Sequence, residues 1–266
     1  YQAFVVELIG NVAHVQINRP EKINAMNAAF WTEIIDIFQW VEDTDAVRAV
    51  VLSGAGKHFS SGIDLMMLAS VANAFGKVVG RNARLLRRKI LELQASFNAV
   101  DNCRKPVLAA IQGYCIGGAI DLISACDMRY AAEDAQFSIK EIDIGMAADV
   151  GTLQRLPRII GDGMLRELAY TGRDVVAAEA RELGLVNRVF DNVDALHAGV
   201  AEIAMAYPVT TEIDVADPAY NTALAAFYDA CVARLAAETA AGRDVGVLCE
   251  GDPFLYGSFM HLYTRL

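Results

Sequence analysis

The chain has 266 residues, 55% of them hydrophobic and 21% charged, enough apolar content to bury one large domain and too much for a disordered chain. Its formal net charge of -10 excludes the usual nucleic-acid binder, whose affinity rests on Lys and Arg neutralising phosphates, but leaves room for a phosphorylated small molecule on a local basic patch. Five cysteines without a Cys-x-x-Cys pair read as free thiols of a reducing compartment, four scattered histidines predict no metal site, and no apolar run reaches membrane-spanning length.

Two short runs, 4–8 and 12–17, flank Gly10-Asn11 and predict a β-hairpin. Over 27–41, Phe30, Ile34, Ile37, Phe38 and Val41 recur at helical spacing, with Asn27 as the N-cap. Ala49-Val50-Val51-Leu52 and the run 107–111 after Pro106 are continuous apolar stretches of buried-strand type. Between them, 81–100 predicts a long helix on which Arg81, Arg84, Arg87, Arg88 and Lys89 form a solvated basic face. A helix over 117–125 and a strand over 128–131 follow, so crossover connections and mainly parallel strands are expected. Beyond about Val189 strand patterning fades, and helical periodicity continues over 195–206 and 219–240.

Several motifs fail. Gly54-Ala55-Gly56-Lys57 ends like a phosphate loop, but Val51 and His58 stand where it needs Gly and Ser or Thr; Gly161-Asp162-Gly163 has Arg166 in place of the third dinucleotide-binding glycine. No Gly-x-Ser-x-Gly elbow supports a serine hydrolase. What remains is two glycine-marked turns, His58-Phe59-Ser60-Ser61-Gly62-Ile63-Asp64-Leu65 and Gly113-Tyr114-Cys115-Ile116-Gly117-Gly118-Ala119-Ile120-Asp121-Leu122, each after a buried strand and before a helix. Small residues let a ligand approach the backbone, and helix starts present unpaired N–H groups, so two such turns side by side could aim two donors at one oxygen.

These two segments resemble the paired oxyanion-hole segments of the crotonase (enoyl-CoA hydratase/isomerase) superfamily. The hairpin, Asn18-Arg19-Pro20 and Asn24-Ala25-Met26-Asn27 resemble that family's opening, and the similarity runs from about Phe4 to Phe190. The resemblance implies an α/β, crotonase-like (ClpP/crotonase) core of repeated ββα units over 1–190 and a helical C-terminal region over 191–266 serving as lid or oligomer contact. It further implies an acyl-CoA substrate, no cofactor beyond the coenzyme A of that substrate, and a homotrimer or hexamer. The implied oxyanion donors are the N–H groups of Ile63 and Gly118. Ala25, Lys57, Ser61, Gly62, Asp64, Leu65 and Gly117 are the implied contacts of substrate and coenzyme A, although Asp64 also reads as a helix-end residue.

Family hydratases carry Glu at the positions of Asp121 and Glu141, and a Pro-Gly-Ala-Gly-Gly-like turn where this chain reads Ala148-Asp149-Val150-Gly151-Thr152. An Asp in that turn, with Asp121 and Glu141, is similar to the dienoyl-CoA isomerase branch. That branch converts 3,5-dienoyl-CoA to 2,4-dienoyl-CoA in fatty acid β-oxidation. An enoyl-CoA hydratase, a 3-enoyl-CoA to 2-enoyl-CoA isomerase and a non-catalytic binding protein on the same fold are the competing readings. For the isomerase, the resemblance assigns Glu141 to C2, and Asp149 falls to C6, with Asp121 orienting both. The apolar neighbours Met146, Ala147, Ala148 and Val150 should raise the pKa of Asp149 by desolvation. The bland alternatives are an N-cap role for Asp149 and a solvated Lys140–Glu141 pair.

The C-terminal quarter departs from the family, whose members bear a Lys-carrying helix there: between Val189 and Gly242 Arg234 is the one Lys or Arg against eight acidic residues. Thr264-Arg265-Leu266 is similar to a peroxisomal Ser-Lys-Leu address, and no secretory leader is recognisable after Tyr1. A mitochondrial or peroxisomal setting is expected for a eukaryotic source, and the cytoplasm for a bacterial one.

Overall fold

Gly10, at φ 61°, turns β1 (Phe4–Ile9) back onto β2 (Val12–Ile17) as an antiparallel hairpin in the computed structural model, which describes residues 1–199 and 219–242. The hairpin joins β3 (Ala49–Gly54), β4 (Val107–Ile111), β6 (Met128–Ala132) and β9 (Arg188–Phe190) in a six-stranded sheet of order β1-β2-β3-β4-β6-β9. Every pairing from β2 onward is parallel, as the crossover pattern predicted. β2 alternates, burying Ala13, Val15 and Ile17, whereas β3 and β4 are apolar and buried along nearly their whole length.

A second sheet, order β5-β7-β8, was not read from the sequence; it is made of β5 (Tyr114–Ile116), β7 (Gln136–Ser138) and β8 (Val175–Val176). β4 is followed directly by β5 and β6 by β7, so each repeat gives one strand to each sheet, the ββα unit that the resemblance implied. The preceding repeat contributes a single bridge, Ser60 to Cys115, that draws the two glycine-marked turns together.

α1 (Ala28–Asp43) is capped by Asn27, whose side chain accepts the Phe30 N–H, and α2 (Leu65–Asn73) leads to α3 (Val79–Asp101). The first half of α3 carries the exposed Arg81, Arg84, Arg87 and Arg88. Its second half is pinned against α1: Phe97 lies 5.0 Å from the Trp31 ring and 6.3 Å from Phe30, and the Ser96 hydroxyl donates to the Trp31 carbonyl. Buried aromatic pairs of this kind contribute about 0.5–1.5 kcal/mol each beyond their burial, so this half is a firm platform for what packs on it. α4 (Gly118–Ser124), α5 (Thr152–Arg155), α6 (Pro157–Ile160), α7 (Asp162–Thr171) and α8 (Ala177–Glu182) complete the body of the first unit, which spans Tyr1–His197.

The second unit spans Ala198–Leu266, and in it α10 (Ala219–Ala240) has the bounds its periodicity predicted. The helix expected over 195–206 begins as α9 (Val193–Gly199); its continuation, Cys249 and Thr264-Arg265-Leu266 lie outside the described residues. Cys103, Cys115, Cys126 and Cys231 are free thiols. Among the described residues no helix is long and apolar enough to cross a membrane.

Candidate active site

Two backbone turns lie side by side beyond the C-terminal ends of β3 and β4. Ser60 N–H donates to Tyr114 O at 2.9 Å and Ile116 N–H to Ser60 O at 3.1 Å, locking them together. Gly62 (φ 82°) is then so close that a Cβ there would stand 2.5 Å from Ile116 O and 3.0 Å from the Gly118 nitrogen. No larger residue fits, which is the physical content of that glycine. On the other side, Met26 N–H donates to Gly62 O at 2.8 Å and Asp64 N–H to Met26 O at 3.1 Å. Ile63 lies between these bonds, and its own N–H has no backbone acceptor among the described residues. Gly118 opens α4, where first-turn N–H groups lack intrahelical partners. A Cβ on Gly118 would stand 3.6 Å from the Ile63 nitrogen, so the two predicted donors are neighbours.

Glu141 follows β7 at the start of a 3-10 turn, Glu141–Ile144. Its carboxylate packs on the second glycine turn: a Cβ on Gly117 would lie 3.3 Å from Oε1. Oε2 is buried and accepts no hydrogen bond among the described residues. Lys140 does not pair with it. The ammonium donates instead to Gly172 O at 2.6 Å and lies 3.2 Å from Asp174 and 3.7 Å from Asp143, which overturns the solvated Lys140–Glu141 pair. Burial, and secondarily the charge of Asp149, raises the Glu141 pKa.

Asp121 is buried in α4, and its Oδ1 accepts the Thr152 N–H at 2.6 Å. Burial, reinforced by the charge of Glu141, pushes its carboxyl up to about 7. Asp149 is half-buried, and burial raises its pKa as its apolar neighbours predicted. It is not the helix cap: Gly151 (φ 145°) occupies that position before α5, and Asp121 supplies the acceptor from across the site. The Asp149 N–H donates to Ala147 O at 2.9 Å, and its carbonyl accepts the Gln94 amide at 2.6 Å. The mutual charge effects bring Asp121, Glu141 and Asp149 into one electrostatic unit.

The other predicted residues divide. Ala25, Ser61, Gly62 and Gly117 lie in the loops that build the two turns, Ala25 O accepting from Arg19 and Gly117 N–H donating to Ser138 O. Lys57 and Leu65 are exposed. The Asp64 carboxylate pairs with Arg19 at 3.2 Å and accepts the Met66 N–H at 2.9 Å, so it anchors the start of α2. His58 stacks on Tyr114 at 4.4 Å and accepts the Tyr114 N–H on Nδ1, which fixes the turn beside Lys57. Sequence reasoning missed Gln94 and Thr152. The polar spacing Gln94, Asn98, Asp101 along α3 was visible but was overshadowed by the arginines before it.

Residues 7–230 match the family model for enoyl-CoA hydratase/isomerase. The mitochondrial delta(3,5)-delta(2,4)-dienoyl-CoA isomerase of Rattus norvegicus is 51% identical over 208 residues, covering 76% of this chain and 64% of the rat protein. The chain thus spans slightly less than two thirds of that relative's length. The peroxisomal delta(3,5)-delta(2,4)-dienoyl-CoA isomerase of Arabidopsis thaliana is 49% identical over 73% of this chain and 70% of its own. Among solved structures, an enoyl-CoA hydratase from Bacillus anthracis superposes with a TM-score of 0.66 at 33% identity, covering 74% of this chain and 73% of that one.

Proposed function

The chain belongs to the enoyl-CoA hydratase/isomerase family, and from that premise we propose that it isomerises 3,5-dienoyl-CoA to 2,4-dienoyl-CoA. The observation that carries the reading is the buried Glu141 carboxylate, its Oε2 unpartnered among the described residues, packed on Gly117, the residue before Gly118, whose Cα in turn neighbours the Ile63 nitrogen. The thioester oxygen sits between the two N–H groups, each worth about 3 kcal/mol to a developing enolate. Glu141 faces C2 and takes its proton. The C2–H electron pair forms C2=C3, the C3=C4 pair moves to C4=C5, and the C5=C6 pair takes a proton at C6 from Asp149. Glu141 ends protonated and Asp149 ionised, and exchange with solvent resets them.

Raised pKa values suit this division. Burial makes the protonated form of Asp149 easier to reach as an acid, and the same upward shift makes the Glu141 carboxylate a stronger base. Asp121, committed to the Thr152 N–H, acts through position and charge. The names of the rat and Arabidopsis relatives support the dienoyl substrate and a mitochondrial or peroxisomal setting.

The test mixes the protein with 3,5-octadienoyl-CoA and follows ultraviolet absorbance, with 2-enoyl-CoA in a parallel cuvette. Rapid gain of the 2,4-dienoyl chromophore with slow loss of the enoyl one is the expected result. Rapid hydration without dienoyl conversion replaces the reading with a hydratase.

A further inference from the structure

The second half of α3 presents three polar side chains at i, i+4 and i+7, Gln94, Asn98 and Asp101, and all three meet the segment around Asp149. Gln94 Nε2 donates to the Asp149 carbonyl at 2.6 Å. Six residues after Asp149, Arg155 Nη2 donates to Asn98 Oδ1 at 2.6 Å, and Arg155 Nε pairs with Asp101 at 3.2 Å. The Arg155 guanidinium also lies across Gly151, where a Cβ would collide with it. The family reading uses none of these side chains.

We propose that Gln94 is a positioning residue for Asp149, setting the direction in which its carboxyl enters the site. Residues 145–151 have no helix or strand to hold them. The peptide N–H of Asp149 is tethered to Ala147 O, and its carbonyl is tethered only by Gln94 among the bonds described. With both flanking peptide groups held, the Cα–Cβ direction is fixed; without the amide, the carbonyl is free to turn and to carry the side chain with it. Asn98 and Asp101 act one step further away, fixing α5 through Arg155 so that the turn is held at both ends. The platform is firm because Phe97 and Ser96, between these residues, are buried against α1. A misplacement of about 1 Å in a reacting group costs roughly 100-fold in rate, so one amide can govern the step at C6 without touching substrate.

The inference rests on the proposed isomerase reading for its kinetic test but not for its structural one. Gln94→Met removes the donor at nearly constant length and volume. Turnover of 3,5-octadienoyl-CoA should fall ~10- to 100-fold with KM unchanged. Exchange of the C2 proton with solvent deuterium should keep its rate, because Glu141 and the two N–H donors are held elsewhere. Unchanged turnover overturns the proposal, and so does an equal fall in turnover and C2 exchange, which marks a general structural loss. The second arm titrates the Asp149 carboxyl by carbon NMR in both proteins. Its pKa should drop toward the ordinary carboxylate range in Gln94→Met as the side chain gains water; an unchanged titration overturns the proposal. Absence of dienoyl conversion in the unsubstituted protein would sink the functional reading alone, and the NMR arm would still decide on Gln94.

Discussion

Glu141 and Asp149 bring the same carboxyl group to one site, and the fold holds them by different means. Glu141 leaves β7 directly and rests on Gly117, while its neighbours Ser138 and Lys140 both donate to Gly172 O. Backbone topology and the bonds that its own segment makes to Gly172 place it. Asp149 stands in an irregular stretch, located by Gln94, 55 residues earlier, and by Asp121, which reaches Thr152 over 31 residues. The first group is built into the sheet layer; the second is hung from side chains on two helices. Proton removal at C2 should therefore tolerate changes in the helices, and proton delivery at C6 should not.

The sharpest way to break this pairing is Asp149→Asn. Dienoyl isomerisation should fall by ~10³-fold or more, with dienoyl-CoA affinity, read by titration calorimetry, nearly unchanged. Glu141→Gln should lower turnover by roughly 10²- to 10³-fold and abolish solvent exchange at C2, which Asp149→Asn retains. Gly117→Ala probes the support of Glu141: the position has φ 57° and a Cβ would stand 3.3 Å from Oε1. Turnover should fall by about tenfold and unfolding free energy by about 1–3 kcal/mol, the order of penalty for a side chain in a sparsely populated, positive-φ conformation, measured by steady-state kinetics and urea unfolding.

Asp121→Asn should change turnover least, by a few-fold, because the amide oxygen still accepts the Thr152 N–H. Its signature is in stability. Burial raises the folded-state carboxyl from 3.8 to about 7, so the folded protein binds the proton more tightly than the unfolded chain. Stability is then greatest below the unfolded value and declines as pH rises from about 4 to about 7. Asp121→Asn should flatten that decline and stabilise the protein at pH 7.5 by up to about 4 kcal/mol, read from urea unfolding at pH 5 and 7.5.

What was legible in the sequence was whatever local pattern controls. The hairpin, α1 with its Asn27 cap, the apolar strands β3 and β4 and the length of α3 follow from periodicity and turn chemistry. β5, β7 and β8 are two or three residues long, too short for alternation to register, so the second sheet leaves no sequence pattern and Tyr114-Cys115-Ile116 reads as part of a turn. The three carboxylates and the two N–H donors were named from motif resemblance, and the structure brings them together. Their supports were hidden, because bonds such as Asp121 to Thr152 and Gln94 to Asp149 depend on how distant segments pack. The N-cap alternative for Asp149 failed for the same reason: the helix it precedes takes its acceptor from α4.

The central claim, that two carboxylates act at opposite ends of the diene, is tested most directly by following one labelled proton. 3,5-Octadienoyl-CoA carrying deuterium at C2 is converted in a single turnover in ordinary water, and the 2,4-dienoyl product is read by mass spectrometry and proton NMR. If Glu141 takes a C2 deuteron and Asp149 delivers another proton, one of the two C2 deuteriums leaves with Glu141, the other stays on the vinylic C2, and C6 carries hydrogen from water. Deuterium at C6 would mean that one group carries the same proton from C2 to C6, and Asp149 would lose its place in the chemistry.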